Sequence, residues 1–256
     1  MLTIPIAVIN ASTLISPAEL VAVTAAIQVQ VRRDFSPAWS VDADLAVVKP
    51  GEEPPTGAWW VAILDNSDAG STLGYHDLTT EGQPLAKVFV GPAKQAGQAW
   101  TTVFSHEVLE MLADPYICLT ALTTSGSGWL LYPYENCDAC QSDSYGYLIG
   151  DHLVSDFVYP TWFDPRESFG TRKFDYGKHI TRPFELLPGG FSLILDLSFG
   201  SGWHLITGPG TAPTYHMRPR VGSRRERRRT CYVNWLKSAV AIGREFRAAE
   251  LVRPSM

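Results

Sequence analysis

Four ionisable side chains stand out in residues 104–115, which read FSHEVLEMLADP: His106, Glu107, Glu110 and Asp114. At about 100° per residue, a helix through this stretch places all four on one face, and the rest of its circumference is apolar. Each charge that such a helix buries costs several kcal/mol unless it is paired, and carboxylates three or four residues apart repel each other. A divalent cation would resolve this conflict, so the sequence predicts a metal site on the helix.

The spacing of these residues suggests a role for each. His106 and Glu110 are one turn apart and point the same way, as two ligands of one ion must. Glu107 lies beside them, where it could act as the general base towards a metal-bound water. The short pattern HExxE also arises by chance, so a solvent-facing charged helix is one alternative interpretation. A structural or degenerate metal site is another.

The elements that must position this helix are typical of an α+β domain. Apolar or alternating runs bounded by turn residues predict strands at Thr3–Ile9, Val41–Val48, Ala58–Leu64 and Leu85–Val90. A first helix begins at the capping box of residues 16–19, with Pro at its first position, and extends to about Arg33 or Phe35. The second helix runs from about residue 96 to residue 113, where Asp-Pro stops it. The predicted order is therefore β-α-β-β-β-α.

The helix motif resembles a known metallopeptidase signature. His-Glu-x-x-Glu is similar to the zinc peptidase motif His-Glu-x-x-His. The longer pattern of HExxE, Asp-Pro and Glu135-x-x-Asp138-x-Cys140 resembles a group of zincin-like proteins that includes the plant phosphate-induced EXORDIUM-like proteins. This resemblance implies a zincin-like fold, in which a mixed β-sheet carries a buried metal-binding active-site helix and a β- and loop-rich C-terminal half follows. It also implies that the strand before the helix, here Lys87–Val90, is the antiparallel edge that pairs with an extended substrate.

The resemblance also suggests where the remaining ligands lie. Glu135 is the first choice for the third metal ligand, because zincins of the gluzincin type take a Glu from a downstream segment. Asp114 is the second choice, although it lies about 12 Å along the helix from His106 and is better suited to capping or orienting. Asp138 is a candidate to orient a ligand from behind. Zn²⁺ is the expected ion, and the second carboxylate ligand makes Mn²⁺ or Ca²⁺ the alternatives.

Two weaker signals lie outside the helix. His76 follows a Gly in the predicted loop before the edge strand, where it is a candidate to contact substrate or an oxyanion, or is an ordinary loop histidine. Cys137 and Cys140 form an isolated CxxC, which predicts free thiols or one bridge with Cys118 rather than a structural zinc site.

The formal net charge of −5 is the sum of an acidic body and a basic end. Residues 1–217 contain ten basic and 23 acidic side chains, whereas residues 218–256 contain eleven basic and three acidic ones. We therefore predict a zincin-like domain over 1–217, with halves at 1–115 and 116–217. A basic linker and C-terminal helix are predicted over 218–256. No aromatic platform or nucleic-acid motif accompanies the basic run, which favours a solvated linker over nucleic-acid binding.

Composition sets the remaining limits. With 45% hydrophobic and 18% charged residues, the composition excludes wholesale disorder, and no apolar run approaches the roughly 20 residues that span a bilayer. The start lacks a basic segment before its apolar stretch, so a cytoplasmic location or non-classical export is expected. The sequence thus predicts a metal-dependent hydrolase, a metallopeptidase acting on a peptide or protein. The alternatives are a non-catalytic binding or structural protein with the same fold and, more weakly, anionic-surface or nucleic-acid binding through 218–256.

Overall fold

The computed structural model describes residues 3–70, 72–126, 128–166, 172–198 and 202–210, and within these ranges the chain is a mixed α+β protein. The predicted boundary near residue 218, and the helix expected beyond it, lie outside the described residues. Among the helices that the structure describes, none is long and apolar enough to cross a membrane.

The helices and strands have the following bounds. The α-helices are α1 Pro17–Val29, α2 Ser36–Trp39, α3 Val90–Gln95 and α4 Trp100–Ala113. The strands before α4 are β1 Thr3–Ala11, β2 Asp42–Val47, β3 Trp59–Leu64, β4 Gly74–Leu78 and β5 Pro84–Phe89. The strands after α4 are β6 Thr120–Ser125, β7 Gly128–Pro133, β8 Tyr147–Ile149, β9 His152–Val154, β10 Phe191–Asp196 and β11 Trp203–Thr207. A π-helical segment, Gln30–Phe35, and two 3₁₀ turns, Asp138–Cys140 and Pro160–Phe163, complete the set.

The first sheet has the order β2-β1-β3-β5-β4. The first four strands in this order, from β2 to β5, are parallel to one another. Only β4, at the edge beside β5, runs antiparallel to its neighbour. Four consecutive residues of β1, three of β3 and all six of β5 are buried, which explains why these strands have nearly continuous apolar sequences.

The structure corrects the predicted position of the antiparallel edge. The strand before the helix, expected as that edge at Lys87–Val90, is the inner strand β5, which runs parallel to β3. The antiparallel edge is β4, which lies in the stretch predicted as a loop, so the chain has four strands between α1 and α4 rather than three. The sequence of β4, GYHDL, contains Gly and Asp, which are depleted in strands. Its extended conformation depends on pairing with β5 along all five residues.

The helix that carries the candidate ligands lies against this sheet. Every residue of α4 except Thr101 is buried, and its apolar residues belong to the main hydrophobic core. The predicted end at Ala113 is confirmed, but the helix begins at Trp100 rather than near residue 96. The preceding residues form the separate short helix α3, and Gly97 follows it with a φ of 70°, a left-handed conformation typical of glycine just after a helix.

The first helix supports α4 from its N-terminal end. The predicted cap is confirmed, since the hydroxyl of Ser16 accepts the N–H of Glu19 at 3.1 Å. The carboxylate of Glu19 in turn accepts a hydrogen bond from the indole N–H of Trp100, the first residue of α4, at 3.1 Å. The helical conformation continues through the π-helical segment to Phe35 and then through α2 to Trp39, four residues beyond the predicted end.

After α4 the described chain forms antiparallel sheets. A four-stranded sheet has the order β11-β10-β7-β6, and β8 pairs with β9. One face of the larger sheet packs on a second hydrophobic cluster that includes Tyr132, Trp162 and Phe163. The apolar stretch within residues 190–197 forms β10.

A pair of buried aspartates stabilises the segment that follows β9. Asp156 and Asp175 are both fully buried and their carboxyl groups are hydrogen-bonded to each other. Asp156 also accepts the backbone N–H groups of Phe157 and Gly177. Burial, followed by the charge and hydrogen bond of Asp175, raises the pKa of Asp156 to about 8. Asp156 therefore keeps its proton at neutral pH.

This pair predicts a pH-dependent stability. Between the ordinary pKa of 3.8 and about 8, the folded chain keeps a proton on Asp156 that the unfolded chain has released. The free energy of unfolding should therefore fall as pH rises across this window, by up to about 1.4 kcal/mol per pH unit. In Asp156→Asn, whose amide can donate to Asp175 without titrating, urea unfolding over this window should lose that slope. The exposed Asp151→Asn variant is the control, and parallel curves for wild type and Asp156→Asn would refute the assignment.

Candidate metal centre

Helix α4 presents three ionisable side chains on one buried face. His106, Glu107 and Glu110 are each less than 5% exposed. The short axial rise between residues one turn apart brings the side chains of His106 and Glu110 together, with the imidazole Nε2 3.3 Å from Glu110 Oε1. The sequence-predicted arrangement of these three residues is thus compact and shielded from solvent.

The edge strand β4 adds a second histidine to this face. His76 pairs in register with Ala86, a core residue of β5, so its side chain lies on the side of the sheet that α4 covers. Its Nδ1 is 3.6 Å from Glu110 Oε2 and 3.9 Å from Glu107 Oε2. Its neighbour Tyr75 alternates to the opposite face, where it contacts Lys87. His76 therefore belongs to the cluster because it lies in a strand.

The third contribution comes from the segment between β7 and the following 3₁₀ turn. Glu135 Oε2 lies 3.7 Å from Nε2 of His76, on the other side of that imidazole from the helix. Asp138 Oδ1 lies 3.4 Å from Nε2 of His106. The backbone N–H of Cys137 donates to Glu110 Oε1 at 3.2 Å, which ties this segment directly to α4.

Backbone contacts hold the segment of residues 135–138 in place. The carbonyl of Ala139 accepts the N–H of Leu187 at 3.0 Å. Gly190 packs so closely against it that a Cβ at position 190 would lie 2.2 Å from the Ala139 oxygen. The carbonyl of Asn136 accepts the N–H of Val158 at 2.7 Å. The second half of the chain therefore fixes the position of Glu135, Cys137 and Asp138.

The electrostatics of the cluster centre on His106 and Glu110. Burial opposes the imidazolium form of His106, but the charges and hydrogen bonds of Glu110 and Asp138 outweigh it and raise the pKa of His106 well above its usual value. Burial likewise opposes the carboxylate form of Glu110, but His106 and then His76 lower the pKa of Glu110 below its usual range. These shifts describe an ion pair buried in the core.

Negative charge is in excess around this pair. Burial, and then the charges of Glu110 and Glu135, raise the pKa of Asp138 well above its usual value, although His106 opposes the shift. The four carboxyl groups of Glu107, Glu110, Glu135 and Asp138 could together carry a charge of up to −4. A divalent cation bound by neutral imidazole would offset part of this negative charge.

Two sets of side chains have donor atoms close enough to share one ion. In the first, His106, Glu110 and Cys137 each offer one atom, and these atoms all lie within 4.8 Å of one another. In the second, the same holds for His76, Glu107 and Glu110. Both sets are fully made of buried residues. Nitrogen, oxygen and sulfur donors in this combination suit Zn²⁺.

The other sequence-predicted residues have distinct positions. Glu135, expected as the third ligand of the His106 ion, contacts His76. Asp114 is fully buried and accepts the backbone N–H groups of Cys118 and Leu119, each at 3.0 Å, so it fixes the chain that leaves α4. Among the described cysteines, Cys118, Cys137 and Cys140 are all free thiols, and no bridge joins them.

The sequence does not reveal that Cys137 is a neighbour of the helix that carries His106 and Glu110. In the sequence it is only half of a CxxC, because its closeness to Glu110 depends on a contact across 27 positions of the chain. Its position between Glu135 and Asp138, which the sequence does indicate as candidate site residues, is the signal that could have identified Cys137.

Glycine at position 74 is required by the approach of β4 to α4. A Cβ at Gly74 would lie 2.5 Å from Glu107 Oε1 and 2.8 Å from both Glu107 Cγ and Val103 Cγ1. A larger residue would therefore push the Glu107 side chain out of its position.

Comparison of the chain with models of protein families, with curated proteins and with solved structures gives no match.

The buried thiols generate a prediction about chemical reactivity. Burial raises the pKa of both Cys137 and Cys140 well above the usual value, and the nearby carboxylates of Glu110 and Asp156 respectively add to the shift. Iodoacetamide at mildly alkaline pH should therefore alkylate the exposed Cys118 in the folded protein, and the two buried thiols only after unfolding. Peptide mapping by mass spectrometry measures each site separately, and similar rates at Cys118 and Cys137 in the folded protein would contradict the arrangement.

Proposed function

We propose that the protein is a metal-dependent hydrolase with a zincin-like fold, and that it acts as a metallopeptidase. The observation that carries the proposal is the contact of His106 Nε2 with Glu110 Oε1 on a buried helix face, with Glu107 beside them. A purely structural ion pair would not call for three further carboxyl groups, those of Glu107, Glu135 and Asp138, and a second imidazole at the same place. A hydrolytic metal site would use such groups as ligands, as a base and as electrostatic support.

His106 and Glu110 are the residues we assign to hold the cation, with a further ligand from the segment 135–138. The carboxylate at position 110 differs from the second histidine of the common zinc peptidase motif. The donor chemistry nonetheless fits, since imidazole nitrogen and carboxylate oxygen are both ordinary zinc ligands. When bound, the cation would supply Lewis acidity, which acidifies a water and polarises a carbonyl.

Glu107 is assigned as the proton acceptor. Its carboxylate is 3% exposed, so little bulk water competes for it. It would take a proton from the attacking water and return it to the leaving amine. His76, whose Nδ1 is 3.9 Å from Glu107 Oε2, would hold that carboxylate in place and could donate a hydrogen bond to an oxygen that becomes anionic.

The edge strand β4 supports a peptide as the substrate. It is the outermost strand of its sheet and it carries His76 next to the helix. An extended peptide that paired with the outer edge of β4 would lie beside the strand that carries His76, as the zincin resemblance implies for the antiparallel edge. Because the antiparallel edge is β4 rather than β5, the edge at which a peptide would pair lies next to His76.

Metal analysis tests the proposal at its base. Wild-type protein should contain about one divalent ion per chain, and His106→Ala should lose it because a direct ligand is removed. Glu107→Gln should retain the ion but lose about 10²- to 10⁴-fold in the rate of peptide cleavage, since the proton acceptor is gone. Elemental mass spectrometry and cleavage of an unbiased peptide library provide the two readouts.

His204→Ala, in the second sheet, is the matched histidine control and should change neither readout. Absence of any ion from wild type after incubation with Zn²⁺ would overturn the proposal. A bound ion without cleavage of any library peptide would instead favour a binding or structural protein that keeps the metal centre.

The contact at Gly74 gives a second test of the role of Glu107. Gly74→Ala should displace the Glu107 carboxylate while the ligands on α4 remain. We expect kcat to fall by up to about 100-fold with the metal content unchanged. Unchanged kcat in a folded Gly74→Ala variant would show that the position of Glu107 is not critical.

A further inference from the structure

We propose that Cys137 provides a thiolate ligand to the cation at His106 and Glu110, so that the centre is a His-Glu-Cys site selective for Zn²⁺. The inference rests on the proposed function only in assuming that a cation binds. Its basis is that the sulfur of Cys137 and one donor atom each of His106 and Glu110 lie within 4.8 Å of one another. All three residues are buried.

The main chain at Cys137 is already anchored to one of the other two ligands. Its N–H donates to Glu110 Oε1 at 3.2 Å, and the same oxygen lies 3.3 Å from Nε2 of His106. Because the backbone contacts of Ala139 described above also fix this turn, the thiol needs no chain rearrangement to join the site. Three ligands from two segments that are held together in this way are preorganised for one ion.

The two oxygens of Glu110 face different partners. Oε1 faces His106 and the N–H of Cys137, whereas Oε2 faces His76. An ion on the Oε1 side would therefore be enclosed by His106, Glu110 and Cys137. The Oε2 side, with His76 and Glu107, would remain for proton transfer.

The ligand set determines which cation binds. One imidazole, one carboxylate and one thiolate carry a formal charge of −2, which neutralises a divalent cation. Thiolate is a soft ligand that suits Zn²⁺, whereas Ca²⁺ and Mn²⁺ prefer sites made of oxygen donors. The Mn²⁺ and Ca²⁺ alternatives left open by the sequence are thus disfavoured.

Asp138 is the competitor for the same role. Its Oδ1 lies 3.4 Å from Nε2 of His106, so an oxygen ligand from this residue would also be near the ion. Cys140 provides the matched control, because it is a free thiol that is as fully buried as Cys137 and lies on the same turn.

Cobalt substitution distinguishes these possibilities. Metal-free protein is loaded with Co²⁺, and a sulfur-to-cobalt charge-transfer band is sought in the near-ultraviolet spectrum. The band should be present in wild type, Cys140→Ser and Asp138→Asn and absent in Cys137→Ser. The affinity of Cys137→Ser for Zn²⁺ should be weaker by at least about tenfold, because losing even an indirect partner of a ligand costs that much. Circular dichroism checks that each variant is folded.

X-ray absorption at the zinc edge of the wild-type protein tests the ligand without any substitution, and a sulfur neighbour at about 2.3 Å is expected. One bound ion with only nitrogen and oxygen neighbours, or an unchanged cobalt band in Cys137→Ser, would overturn the cysteine ligand and leave the proposed metal centre standing. Failure of wild type to bind either Co²⁺ or Zn²⁺ would overturn both.

Discussion

The burial of ionisable groups on α4 is the constraint on which the rest of the structure depends. Imidazole and carboxylate side chains taken out of water need partners at close range, and helix geometry alone supplies only the contact between His106 and Glu110. The further partners come from β4 and from the segment after β7, which are remote in sequence. The elements packed around α4 position these side chains at one place.

Two different kinds of backbone contact position the side chains that surround α4. On one side, main-chain pairing along β4 and β5 carries His76 to the helix, and the absence of a side chain at Gly74 lets the strand come close enough. On the other side, a turn is fixed by backbone contacts with residues near β10, where Gly190 permits an equally close approach. In both places the missing side chain of a glycine permits a close approach, by the Glu107 side chain at Gly74 and by the Ala139 backbone at Gly190.

The sequence predicted the parts of this arrangement that depend on local pattern. Apolar periodicity predicted the strands β1, β2, β3 and β5, and the Ser, Pro and Asp-Pro signals predicted the cap at Ser16 and the end of α4. The edge strand β4 could not be predicted in this way, because its polar residues form a strand only through pairing with β5. The contact of Cys137 with Glu110 could not be predicted from local sequence pattern either, because a backbone N–H makes it between two segments that are distant in sequence.

The register of β4 has a consequence for how the chain avoids misfolding. Side chains alternate along a strand, so a shift of one residue against β5 would turn His76 away from α4 and bring Tyr75 or Asp77 in its place. In one such slipped form, Asp77 would face the carboxylates of Glu107 and Glu110 and be repelled by them. The repulsion among carboxylates that would favour a cation in the native cluster therefore also destabilises the slipped hairpin. The charges of the site thus favour the correct register of the sheet.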